Sequence, residues 1–188
     1  MTSFELRIRA ETPCDDDAVE QLAADAFGPG RFARAAFRLR EGVEHEHQLS
    51  FVALMAKESG AEGNRAKEKP DGHDDSDEEL AGSVRLTRIL VGGKPALVLG
   101  PLIVARSRKN LGIGRELMHR ALVQARREGH RLVILVGDYA YYAKFGFEKV
   151  PHGRITLPGP ADPERILYCE LQAGALADTY GAATRYMQ

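Results

Sequence analysis

The sequence predicts a mixed α/β (α+β) fold. Three observations carry that expectation. Short runs with the period or composition of β-strands recur along the chain, apolar residues from Ile113 to Ala125 fall at helical spacing, and a wholly apolar run, Leu132-Val133-Ile134-Leu135-Val136, follows that helix. A strand apolar on both faces must be central and covered above and below. The 188 residues fit one domain, 1–188.

Phe4 to Arg9 alternates apolar with charged residues, the period of a strand with one wet face, and Pro13 ends it. Asp15 to Asp17 supply capping oxygens and favourable charge to a helix with Val19, Leu22, Ala23, Ala26 and Phe27 on one face, stopped by Gly28-Pro29-Gly30. A second short helix runs from Phe32 to Leu39, ending at Gly42, and Leu49 to Met55 reads as a second strand. Residues 57–79 carry thirteen charges in twenty-three positions and no Val, Ile, Leu, Met or aromatic residue. Such a stretch cannot offset the entropy of ordering itself, so a disordered charged insertion between strands two and three is expected there. Its acidic end, Asp74 to Glu79, reads as a solvated loop.

Ala81 to Val91 and Ala96 to Val104 form a third and fourth strand across Gly92-Gly93, a hairpin signal. The long helix stops at Gly129 and the apolar fifth strand follows. A short helix around Tyr139 to Lys144 and strands near Phe147 to Val150 and Ile166 to Leu171 bring the count to about six to seven strands and about four helices.

Lys plus Arg number 26 against 27 Asp plus Glu, a net charge of −1, so no overall field draws in nucleic acid or an anionic membrane. Cys14 and Cys169 stand far apart, without the spacing of a disulfide scaffold or metal cluster. The N-terminus has no basic segment leading into a long apolar run, and a cytoplasmic protein is expected. His45 and His47 would share a face of a strand, but two nitrogens without a third ligand make a poor zinc site, and they read as solvated loop histidines.

The chemistry concentrates between the fourth strand and the long helix. Gly112 and Gly114 stand at a helix start, where unpaired backbone N–H groups and the positive end of the dipole form an anion site, and the missing side chains allow close approach. Arg106, Arg108, Lys109 and Arg115 crowd the same turn, a local basic cluster that the net charge conceals. A P-loop is excluded because the Gly-Lys-Ser/Thr ending is absent. A dinucleotide fingerprint fits poorly, with Leu117 at its third glycine, although Asp138 follows the next strand where a ribose-binding acid would lie.

Lys109-Asn110-Leu111-Gly112-Ile113-Gly114 resembles the Gln/Arg-x-x-Gly-x-Gly/Ala pattern of the GCN5-related N-acetyltransferase (GNAT) superfamily, and Tyr142-Ala143-Lys144-Phe145-Gly146-Phe147 resembles its Tyr-x-x-x-Gly-Phe ending. Leu99-Gly100-Pro101-Leu102, Leu135 to Asp138 and Tyr141-Tyr142 look like one bacterial subgroup of predicted acetyltransferases. The resemblance implies a mixed, mostly antiparallel sheet splayed between strands four and five, with acetyl-CoA as cosubstrate in the gap and no metal. It implies that the main chain of Leu102, Ile103 and Val104 pairs with the pantetheine arm. It makes Lys109, Asn110, Leu111, Gly112, Ile113, Gly114 and Arg115 cofactor-binding, with the N–H groups from Leu111 to Arg115 holding the pyrophosphate. Lys109 departs from the usual Gln or Arg, and Leu111 replaces a basic residue, offering only its backbone.

The implied activity is transfer of an acetyl group to a primary amine of a small molecule or peptide in one ternary complex. Tyr142 would protonate the departing sulfur, since a thiol of pKa about 8.5 leaves as a thiolate and a phenol near 10 can meet it. The backbone N–H near Val104 would polarise the thioester carbonyl. Tyr141, about 100° around the same helix, is expected to be a core aromatic. An amine of pKa about 10.4 loses ~4.6 kcal/mol to deprotonation at pH 7, and one of pKa about 8 only ~1.4 kcal/mol, so a base matters most for lysine-like acceptors. The fourth strand holds no carboxylate, leaving Glu41, Glu44, His45, Glu46, His47 and Asp138 as candidate bases, with no choice among them. A sensor that binds acyl-CoA without turnover is the alternative; a nucleotide-dependent oxidoreductase is weaker still. A homodimer through the late strand and the tail from Ala173 to Gln188 is a further expectation, with no nucleic-acid or membrane partner.

Overall fold

A computed structural model describes residues 6–28, 35–57 and 78–187. In chain order these form β1 (Leu6–Ala10), α1 (Asp16–Phe27), α2 (Ala35–Arg40), β2 (Phe51–Ala56), β3 (Glu78–Val91), β4 (Lys94–Val104), α3 (Ile113–Arg127), β5 (Leu132–Val136), α4 (Tyr139–Tyr142), β6 (Glu148–Lys149), β7 (Ile155–Thr156), β8 (Ile166–Glu170) and β9 (Gly181–Arg185). One sheet runs β1-β2-β3-β4-β5-β8-β6, with β9 on β3 and β7 on β9. Pairing is antiparallel except for β4–β5 and β7–β9. The expected mixed, mostly antiparallel sheet is present.

The sheet has a core on each face, and β5 explains its own composition by belonging to both. Val133 and Leu135 join the cluster built on Leu117, Met118 and Ala121 of α3, while Leu132 and Ile134 join Leu39, Ile89, Val98 and Ile166 on the other face. Each such side chain removed from water contributes about 1.5–3 kcal/mol. The hairpin between β3 and β4 turns on Gly92 and Gly93, at φ +55° and +82°, a left-handed pair that glycine adopts without steric cost.

Several boundaries differ from expectation. β3 begins at Glu78, two residues inside the stretch expected to be an insertion, because Glu78 and Glu79 find cations: Glu78 pairs with Arg7 and Glu79 with Arg108. Residues 58–77 lie outside those described, as do 1–5, 29–34 and 188. The strand expected from Leu49 starts at Phe51, after a 3-10 turn at His47–Leu49. The tail supplies β9, which lies against Ile89–Val91 of its own β3, and β8 is flanked by β5 and β6. No described helix is long and apolar enough to cross a membrane.

Candidate active site

The strands β4 and β5 are paired only at Leu97–Val133 and Val98–Ile134. Beyond Val98 they part, and Leu99 to Val104 keep β3 as their strand neighbour on one side. A register shift marks the parting: Val84 faces Leu102 while Leu86 faces Leu99, so β4 holds one extra residue at Gly100-Pro101. An extra residue bends the strand that carries it. Gly100 sits at φ +133°, a backbone conformation that side-chain-bearing residues rarely adopt. Leu102, Ile103 and Val104 thus lie in the segment past the bulge, opposite Val84, Ser83 and Gly82.

The start of α3 closes one end of this gap. Asn110 and Gly112 both adopt left-handed conformations, φ +66° and +79°, and Gly112 caps the helix. Glu116 donates the helix's first backbone hydrogen bond, to the Gly112 carbonyl at 3.1 Å. The N–H groups of Ile113, Gly114 and Arg115 therefore precede the first intrahelical acceptor, where an anion is stabilised. Gly114 is buried; a Cβ there would meet the Tyr141 hydroxyl at 2.8 Å and Val104 Cγ2 at 3.5 Å. Lys109, Asn110, Leu111, Gly112 and Arg115 are exposed, whereas the Ile113 side chain is sunk in the core and leaves only its main chain to the turn. Arg108 does not join the basic cluster. It is 2 % exposed and donates to Glu79 and the Ala56 carbonyl, tying this turn to β2 and β3. Two left-handed residues and a helix start whose first N–H groups lack intrahelical acceptors make a turn that can hold an anion.

A cavity of about 760 Å³ opens beside the bulge, between α1, α2, the end of β5 and α4. Leu99 to Leu102 form one wall and Val136 to Asp138 with Tyr141 and Tyr142 another. The Tyr142 ring lies directly on Gly137, where any Cβ would strike its Cε2 at 2.3 Å, and packs edge-on to Phe147 at 5.9 Å. Asp138 caps α4 by accepting from the Ala140 N–H at 3.1 Å, so the motif's strand end and helix start hold the ring in place. Burial, aided by the neighbouring Tyr141, pushes the Tyr142 phenol up to about 12. Tyr141 is not a core aromatic. It is 38 % exposed, lines the cavity and rests its hydroxyl near Gly114, because the short helix turns it toward α3 rather than into the sheet.

On the opposite wall, Arg85 of β3 is 9 % exposed and donates to Glu11 at 2.8 Å, Asp16 at 2.7 Å and Glu20 at 3.1 Å. Glu11 is 2 % exposed. Burial pushes its carboxyl up, but hydrogen bonds from His45 and Arg85 and both their charges outweigh this and hold it below the usual carboxylate range. Glu11, Asp16 and His45 bring three donor atoms within 4.8 Å of one another, yet the Arg85 guanidinium already pairs with both carboxylates, and a metal ion would face its charge. Sequence reasoning missed this cluster. The signal was present: an arginine set between Val84 and Leu86 in the middle of a largely apolar strand demands buried anions.

Of the six candidate bases, His45 and Asp138 line the cavity. Glu46 pairs with Arg88 at 2.9 Å, and Glu44 is 85 % exposed beside His47 at 3.6 Å. Glu41, likewise exposed, lies off the cavity wall.

The sheet thus opens between two parallel strands, with a glycine-led helix start nearby and a half-buried tyrosine in the cavity wall. Residues 18–147 match the model of the acetyltransferase (GNAT) family, and the chain belongs to that family. It is 26 % identical over 176 residues to the uncharacterized N-acetyltransferase YhbS of Escherichia coli strain K12, covering 93 % of this chain and 92 % of that one. The crystal structure of Escherichia coli YhbS in complex with CoA shares the fold, with a TM-score of 0.73 and 23 % identity over 99 % of this chain and 92 % of the other. A GNAT family acetyltransferase from Brucella melitensis, in complex with acetyl-CoA, is 26 % identical with a TM-score of 0.54, over 87 % and 94 % of the two chains.

Proposed function

We propose that the protein transfers the acetyl group of acetyl-CoA to a primary amine of a small molecule or peptide, by direct attack within a ternary complex. The observation that carries this reading is the adjacency of the α3 start to Val104 and to the cavity-lining Tyr141, beside a strand segment paired on one side only. The main chain of Lys109 to Arg115 would bind the diphosphate, with Lys109 and Arg115 adding charge. The open side of Leu102, Ile103 and Val104 would pair with the amides of the pantetheine arm as a strand does. Both relatives crystallised with CoA or acetyl-CoA are consistent with that cosubstrate.

The chemistry follows from the wall residues. The amine lone pair attacks the thioester carbon, and the backbone N–H near Val104 stabilises the oxygen that gains charge. The C–S bond then breaks, and Tyr142, kept protonated by burial across the neutral range, gives its proton to the sulfur or shields it. Among the described residues lining the cavity the one aliphatic hydroxyl is that of Thr87, 1 % exposed, which favours direct attack over an acyl-enzyme.

Mixing acetyl-CoA with a panel of small amines and amine-bearing peptides and reading free thiol tests the proposal. Amine-dependent thiol release is expected. Tight CoA binding with no release across the panel would make the protein an acyl-CoA-binding module instead.

A further inference from the structure

We propose that His45 is the base that takes the acceptor amine's proton, with Glu11 as the positioning residue behind it; this deepens the acetyl-transfer reading and rests on it. The His45 Nε2 atom lies 3.3 Å from Glu11 Oε1 and is sealed from solvent; the His47 ring stands 4.4 Å away, centroid to centroid, and an Asp16 oxygen lies within 4.8 Å of the ring's donor atom. An ionised carboxylate only accepts hydrogen bonds, so the imidazole proton belongs on Nε2 and the lone pair on Nδ1. The ring keeps 13 % of its side chain open while Nε2 is closed, and that ring lines the cavity shared by the bulge at Gly100 and by Tyr142. The imidazole is held, not merely adjacent. Glu46, the next residue, donates its N–H to the Leu86 carbonyl at 2.8 Å, which ties the loop to β3 opposite Leu99.

Glu11 itself is fixed from behind. Arg85 donates to its Oε1, and its own N–H donates to the Ser50 carbonyl at 2.8 Å, so the carboxylate cannot follow solvent. Its Oε2 is buried without a partner. A buried carboxylate with an unused oxygen stabilises an imidazolium that forms beside it, which is what a base needs once it has taken a proton. Asp138, the other candidate on the wall, spends Oδ1 on the α4 cap.

The proton balance is simple. An acceptor ammonium gives one proton, directly or through a water, to His45 Nδ1 and becomes the free amine. Its lone pair forms the C–N bond as the C–S bond breaks, and the sulfur takes a proton from Tyr142. The nitrogen sheds its second proton, the phenol is reprotonated, and one proton leaves to solvent for each thiol formed.

The test uses the full chain, acetyl-CoA and an active amine of pKa near 10, with kcat/KM measured from pH 7 to pH 10 for the wild type, H45Q, H45A and D138N. Glutamine places an N–H donor where Nε2 lies and so keeps the Glu11 contact, but it has no basic lone pair. H45Q is expected to lose on the order of 10²–10³-fold at pH 7, and the deficit should shrink as pH approaches the amine's own pKa, because the acceptor then deprotonates itself. Imidazole added to H45A should restore part of the rate. E11Q should show the same shrinking deficit; if it does not fold, the His45 variants alone decide. A deficit in H45Q that is constant across pH, no deficit at all, or a shrinking deficit confined to D138N would each overturn the assignment while leaving acetyl transfer intact. A wild type that binds acetyl-CoA and releases no thiol with any amine would remove both the assignment and the reading beneath it.

Discussion

Tyr142 and Gly112 carry the sharpest consequences at the scale of single residues. Y142F removes one oxygen from a ring fixed by Gly137 and Phe147, so the fold should hold while kcat drops by roughly 10²-fold or more, read as thiol release. An unchanged kcat would leave Tyr142 a packing residue. Because its phenol sits near 12, no alkaline fall in wild-type kcat should arise from it below about pH 10. Gly112→Glu places a carboxylate where the helix start favours an anion, at φ +79°, and should weaken CoA binding at least tenfold by calorimetry with the circular dichroism spectrum unchanged. Both residues were picked out in the sequence by resemblance to family motifs. Tyr141 and Arg108 were misread because helical phase and local charge do not reveal which neighbour a side chain meets. Arg108 met Glu79, a partner 29 residues away.

At the scale of elements, the hairpin strands β3 and β4, the helix α3 and the strand β5 followed from period and glycine placement, because each is dictated locally. β7 and β9 did not. Ile155–Thr156 is two residues long, and Gly181–Arg185 is a strand only because β3 outruns β2 and offers Ile89 to Val91 as a partner. Such pairing is set by distant chain, not by propensity. The paired ends of β2 and β3, Ala56 opposite Glu78, make the intervening segment replaceable. Substituting a short Asn-Gly turn for residues 58–77 should leave the melting temperature within a few degrees, since β2 and β3 already meet at that register. E79A should cost about 1–3 kcal/mol in urea unfolding, because it strips a carboxylate from the buried Arg108 guanidinium. Equal stability of E79A and wild type would show that Arg108's remaining contacts satisfy it.

For the whole molecule, stability should fall in acid. The Arg9 guanidinium, with Thr12, outweighs burial and holds Asp15 at about 2 against an ordinary 3.8. A depressed carboxylate adds stability above its unfolded pKa and loses it as pH falls through the folded one. The gap in unfolding free energy between wild type and D15N should therefore stay level above pH 5 and narrow from pH 4 toward pH 2; a gap independent of pH would deny the ion pair its role. Two backbone rungs, Leu97–Val133 and Val98–Ile134, are all that stitch the two halves of the sheet together at its middle. A guest laid along Leu99 to Val104 would act as a missing strand, so it should slow deuterium uptake at those amides and raise the melting temperature together. The enzyme would then be stiffest when loaded, and shedding its spent carrier would reopen a seam.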